Sequence, residues 1–169
     1  LVGTDLVAKS APDGYTLLLG YTSNLGTALS MYRNVGYDPR TDFAPVGLIA
    51  SAPALLLVHP SVPVRNVAEL IAMMKSSSEP FQVGVPGIGT VNHLAAELFA
   101  QQAGVKVQPI PYKGSNPLNT DLIGGHVKVG FNPIPVSRAA LESGQIRALA
   151  GTSLKRSAHF PDLPTVAES

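Results

Sequence analysis

Strand-length apolar runs alternate with stretches of helical periodicity along most of this chain, and that alternation leaves few folds open. Short apolar runs bounded by Gly, Pro or Asn read as buried strands, and their alternation with helices reads as a sheet covered by helices. Strands are expected at Tyr15–Gly20, Pro45–Ala50, Ala54–Val58, Phe81–Val85, Val105–Ile110, Val127–Phe131 and Ile146–Gly151. Helices are expected at Leu25–Met31, from an Asn66 cap to Lys75, at Val91–Ala103, in a short segment ending at Gly124-Gly125, and at Val136–Glu142. Val67, Leu70, Ile71 and Met74 share one helical face, and Leu94, Leu98 and Phe99 are expected to point inward from the next helix. The fold class is α/β with a largely parallel sheet.

One junction limits the topology. Only Ser51-Ala52-Pro53 separates the second apolar run from the third, whereas a parallel crossover needs about a dozen residues. The two runs therefore form a hairpin, or one long strand passing between two lobes. Pro53 has no N–H for a ladder and favours the crossing. A chain of 169 residues has room for one full core or two small lobes.

Composition removes several function classes. Lys+Arg 12 against Asp+Glu 11 gives a net charge of +1, dispersed along the chain, so no basic run is available to neutralise a phosphate backbone and nucleic acid is not an expected partner. Cysteine is absent, which removes disulfides, thiolate catalysis and Cys-based zinc sites. No apolar stretch approaches the roughly 18–20 residues that span a bilayer, so no direct membrane insertion is expected. The chain opens Leu-Val-Gly-Thr-Asp, with neither initiator Met nor a basic leader, which leaves its compartment open at this point.

Four strand-to-helix junctions hold the polar groups that could meet a ligand. In Gly84-Val-Pro-Gly-Ile-Gly-Thr-Val-Asn-His-Leu94 a strand ends, glycines turn the backbone closely, and Thr90 is placed to cap the next helix. Backbone N–H groups at such a helix start attract an anion, although the same motif also serves as a plain tight turn. The glycine order is neither that of a P-loop nor that of a dinucleotide fingerprint. His93 falls in the first helical turn, as a neutral hydrogen-bonding ring beside the anion or as a bond to the preceding loop. Tyr21-Thr22-Ser23-Asn24 is the second junction, where Ser23 or Asn24 could cap a helix and still leave donors for a ligand. Pro111-Tyr112-Lys113-Gly114-Ser115 is the third, with Lys113 read as a solvated loop lysine, and Asn132 at a strand end is the fourth. All four lie at carboxyl ends of expected strands, where open α/β sheets bind ligands. No Ser–His–Asp set is evident there, Asp121 and Glu97 fall inside helices, and His59, His126 and His159 have no metal-ligand spacing. Catalytic residues, metals and cofactors are therefore not expected.

Several motifs resemble the Bug family of extracytoplasmic receptors for tripartite tricarboxylate transporters. They are Ala11-Pro-Asp-Gly-Tyr-Thr-Leu17, Tyr37-Asp-Pro39 with Asp42-Phe-Ala-Pro-Val46, Gly87-Ile-Gly-Thr90 with His93-Leu-Ala95, Pro111-Tyr-Lys-Gly114, and Arg147-Ala-Leu-Ala150 through Pro161-Asp-Leu-Pro-Thr-Val166. They occur in family order across essentially the whole chain. The resemblance implies a periplasmic binding protein of the type II-like kind, with three-layer α/β/α lobes that close over a carboxylate, monomeric when full length, feeding the membrane components of such a transporter. It assigns 1–51 to a partial first lobe, 52–150 to a near-complete second lobe and 151–169 to a return toward the first. By motif, Gly87, Gly89, Thr90 and His93 belong to the anion-gripping loop, Thr22, Ser23 and Asn24 line the first lobe, Ala52 lies at the crossing, and Asn132 stands at a site-facing strand end. Family members are longer at both ends, and the family's usual Phe-Asp pair is Phe131-Asn132 here. Two other readings compete: a small α/β enzyme acting on an acyl or phosphorylated substrate through Ser23, His93 and Lys113, and a ligand-sensing domain for signalling.

Overall fold

Residues 1–158 and 160–169 are described in a computed structural model of the chain, so the sequence reading of His159 lies outside the described residues. The chain divides into two compact units, Leu1–Ser51 with Gly89–Val91 and Ala52–Ile88 with Asn92–Ser169.

The larger unit is built on one five-stranded sheet. Its strands are β1 (Ala54–Val58), β2 (Phe81–Val85), β3 (Val107–Pro111), β4 (Val129–Pro133) and β5 (Arg147–Gly151), in the spatial order β3-β2-β4-β1-β5. β2 runs parallel to β3 and β4, while β1 is antiparallel to both β4 and β5. The expectation of a largely parallel sheet is corrected on that point: β1 reverses direction in the interior of the sheet. All five residues of β1 are buried, and alternation sends Leu56 and Val58 to one face, Leu55 and Leu57 to the other.

Each face receives two helices. On the first, α3 (Val67–Ser76) contributes Val67, Leu70 and Met74, and α4 (Val91–Ala103) contributes Ala96 and Phe99. On the second, α5 (Ser115–Ile123) contributes Leu118 and Leu122, and α6 (Ile134–Glu142) contributes Ile134 and Ala140. The result is a three-layer α/β/α sandwich. α3 starts where expected, because the Asn66 Oδ1 accepts the Glu69 N–H at 2.8 Å while the Glu69 carboxylate reaches back to the Arg65 N–H at 2.7 Å. α4 departs from expectation in its face. Phe99 is buried, but Leu94 and Leu98 are exposed, and Asn92, Ala96 and Ala100 take the inward positions. The small alanines allow close packing on the sheet, and the leucine stripe lies on the opposite side.

Gly84 and Gly130 pair across β2 and β4, and a Cβ on Gly84 would collide with the Leu118 side chain. Two adjacent strand positions without side chains let α5 settle onto the sheet. Residues 151–169, which the resemblance assigns to a return toward a first lobe, fall in the compact unit that also holds Ala52–Ile88. They are held by the Gly151–Thr165 bridge and by a buried Thr165 that caps the 3₁₀ turn Val166–Glu168.

The smaller unit contains α1 (Val2–Ala8), which the sequence reading did not anticipate, a π-helical turn at Thr22–Gly26, and α2 (Ala28–Met31). The helix expected at Leu25–Met31 is thus split in two. The strands expected at Tyr15–Gly20 and Pro45–Ala50 do not form. Neither segment has a ladder partner, and Tyr15 is 91% exposed and Val46 90%. With no strand at 45–50, neither the hairpin nor the continuous crossing strand proposed around Pro53 is present.

Candidate functional site

In the smaller unit, Asn24 bonds to residues from three segments. Its Oδ1 accepts the Tyr21 N–H at 2.7 Å, its Nδ2 donates to the Thr4 hydroxyl at 3.0 Å, and its carbonyl accepts the Tyr37 hydroxyl at 2.6 Å. Asn24 therefore ties α1, the π-helical turn and the 37–43 segment together, and Tyr37 also meets Phe43 edge-on. Thr22 is exposed and Ser23 half-buried beside it. The turn itself is closed by Thr27, whose N–H donates to the Thr22 carbonyl at 2.9 Å.

Thr27 was not singled out from the sequence, yet it fixes the glycine loop. Its hydroxyl donates to the Gly89 carbonyl at 2.8 Å. Gly89 has φ +77°, which favours glycine, and a Cβ there would stand 2.7 Å from the Met31 sulfur, so that flexible side chain would have to move aside. Gly87 and Thr90 are half-buried in the same 86–90 turn that leads from β2 into α4. No pattern within the sequence links residues 27 and 89, which lie 62 positions apart.

In the larger unit His93 lies in the first turn of α4 with its side chain 13% exposed, and its Nε2 is 3.6 Å from Glu97 Oε1. A His–Glu pair at i, i+4 orients the ring and supplies an ordinary surface ion pair when the imidazole is protonated. Glu97 itself is exposed, whereas Asp121 is half-buried and accepts the Tyr112 hydroxyl at 2.8 Å. Burial, then that bond to a carboxylate, push the Tyr112 phenol up to about 12. Lys113 is exposed, as a loop lysine should be, and Ala52 is exposed too.

Asn132 behaves differently from the other candidates: it is 0% exposed. Its Nδ2 donates to the Ser115 carbonyl at 3.3 Å and to the Ser137 hydroxyl at 3.2 Å, and its Oδ1 has no hydrogen-bond partner. No group of three or more metal-binding side chains occurs among the described residues, and no helix among them is long and apolar enough to cross a membrane.

The carboxyl ends of β2, β3 and β4 thus open into a glycine turn and two helix starts, as in proteins that cradle small anions. That architecture is shared with solved periplasmic binding proteins. A Rhodopseudomonas palustris protein solved with adipate, Rpa4515, is 42% identical and superposes with a TM-score of 0.92 over 99% of this chain and 56% of its own. MatC from the same organism, solved with malate, is 29% identical with a TM-score of 0.86, over 99% of this chain and 57% of its own. Among curated relatives, protein BugT of Bordetella pertussis is 38% identical over 99% of this chain and 52% of its own length. The fold class is therefore that of the periplasmic binding proteins, as the resemblance implied. The chain belongs to the tripartite tricarboxylate transporter family of receptors, whose pattern it matches over residues 1–169. It spans about half the length of the curated relatives it matches.

Proposed function

We propose that this chain is part of a periplasmic receptor that captures a small carboxylate and hands it to the membrane components of a tripartite transporter, without transforming it. The observation that supports this most is the whole-chain likeness to the adipate-bound protein at a TM-score of 0.92. The neighbours' ligands, adipate and malate, are both dicarboxylates, so a four- to six-carbon dicarboxylate is the ligand class proposed here. The contacts assigned to it are the Gly87–His93 loop and helix start, with Thr22 and Ser23 as hydroxyl donors. A helix N-terminus holds a carboxylate through backbone N–H groups and the axial dipole, which suits a site poor in arginine. Residues 1–51 are assigned to a first lobe and 52–150 to a second. The exposed apolar segments at 15–19 and 46–49 support that assignment, since such runs become strands only when neighbouring strands cover them.

Calorimetric titration of the intact receptor with adipate and L-malate tests the reading. A dissociation constant of about 1 μM or tighter is expected for at least one, on the order of −8 kcal/mol. His93→Ala is expected to weaken it with the fold intact, whereas turnover of either acid, or no binding of any dicarboxylate, would sink the proposal.

A further inference from the structure

The end of β4 lies beneath the first turns of three helices. The Phe131 carbonyl accepts from Asn92 Nδ2, in the first turn of α4, at 3.3 Å. The next residue, Asn132, reaches Ser115 at the start of α5 and Ser137 in the first turn of α6 through one amide nitrogen. Neither α5 nor α6 has a side-chain cap of its own: Gly114 (φ 112°) and Pro133 stand at the two N-cap positions. Asn92 is 4% exposed, and Asn132 and Ser137 are 0% exposed.

Packing alone does not account for a carboxamide at this point. A leucine would fill comparable volume without burying an Oδ1 that no donor meets. What the amide adds is direction, because one nitrogen donates both to the Ser115 carbonyl at the start of α5 and to the Ser137 hydroxyl in the first turn of α6, two helices that also pack against each other. We propose that Asn132 is a positioning residue of the carboxylate site: it fixes where the first turns of α5 and α6 stand, while Asn92 ties the first turn of α4 to the same strand end through the Phe131 carbonyl, and Asn132 touches no ligand. This rests on the receptor reading above.

The test uses the intact receptor, with adipate and L-malate as probes. Asn132→Leu is expected to lose about tenfold in affinity, on the order of the net contribution of one hydrogen bond. The double variant Asn132→Leu/Ser137→Ala removes both polar partners and is expected to regain melting temperature. It should not regain affinity, because the Ser115 carbonyl still lacks its tether. Recovery of affinity together with stability would reduce Asn132 to a packing residue and overturn the proposal, as would wild-type affinity in Asn132→Leu. Should the single variant fail to fold, the double variant decides on the same criterion. Should the wild type bind neither probe, the receptor reading fails on its own. Amide exchange across 115–118 and 134–138 then decides: faster exchange in Asn132→Leu supports the tether, and unchanged exchange refutes it.

Discussion

Two apolar runs only a few residues apart meet opposite fates. Ala54–Val58 is buried throughout, with β4 on one side and β5 on the other, whereas Val46, Leu48 and Ile49 are almost fully exposed. Hydrophobicity does not separate them, because both are rich in branched aliphatic residues. What separates them is company. A strand buries its backbone polar groups only in a ladder and its side chains only under a covering layer, and β1 has both. The segment at 46–49 has neither, and the same holds for Tyr15, Leu17 and Leu19 in the same unit.

The comparison can be broken most directly by truncating one leucine on each side. Leu56→Ala in β1 removes a 0%-exposed side chain from the larger core, and a loss of about 2–5 kcal/mol is expected by denaturant titration. Leu48, 89% exposed, is expected to change by less than about 0.5 kcal/mol when replaced by Ala in this chain. In a longer protein that covers 46–49, the same Leu48→Ala change is expected to approach the cost seen in β1. Equal small effects in both lengths would remove the argument that the segment belongs to a lobe core.

A smaller effect sharpens the contrast at glycines. Gly130→Ala puts a methyl 3.1 Å from the Gly84 carbonyl oxygen, a backbone atom that cannot rotate away. Overpacking of this kind costs about 1–3 kcal/mol. Gly47 meets nothing within 4 Å, so Gly47→Ala is expected to be neutral or to stabilise by up to about 1 kcal/mol through the unfolded state. Thermal melts of the two variants against the parent chain measure the difference.

These contrasts also explain what could be read from the sequence. Phe81–Val85 and Val91–Ala103 were recognised to the residue, and β3 and β4 lie two residues beyond the expected starts. Periodicity and capping chemistry are local, and the Asn66–Glu69 cap is a signal contained in four positions. Pairing is not local, so an apolar pattern at 15–20 or 45–50 carried no information about whether a neighbour strand would be there. The same reason hid the antiparallel setting of β1. At the site, the glycine loop was legible because a φ of +77° favours glycine at residue 89. Its Thr27 anchor, and the Asn132 link between Ser115 and Ser137, were not, since topology brings those residues together across long stretches of chain. Leu94 and Leu98 lie outward because the sheet face of α4 is lined by Asn92, Ala96, Phe99 and Ala100, and which side of a helix meets a sheet is settled by packing rather than by the helix's own periodicity.

The smallest expected effect concerns a polar group that the larger unit holds in place, in contrast to the exposed Tyr15. Tyr112 follows β3, its N–H donates to the Val85 carbonyl at 2.9 Å, and its hydroxyl donates to Asp121 on α5. Burial first, and the Asp121 bond second, keep the phenol protonated up to about 12, against 10.0 for a free tyrosine. In the unfolded chain the proton leaves near the ordinary value, so between those limits the unfolded state holds fewer protons than the folded one. Stability from this tether is therefore complete below pH 10 and is lost as pH rises through about 12. Tyr112→Phe has no proton to lose, so the stability difference between parent and variant should shrink across that window and stay constant from pH 6 to 9. Urea titrations at stepped pH would show it. A difference that is flat through the alkaline range would mean that the hydroxyl is not engaged by Asp121 in solution, and the polar order attributed to this side of the sheet would have to be reconsidered.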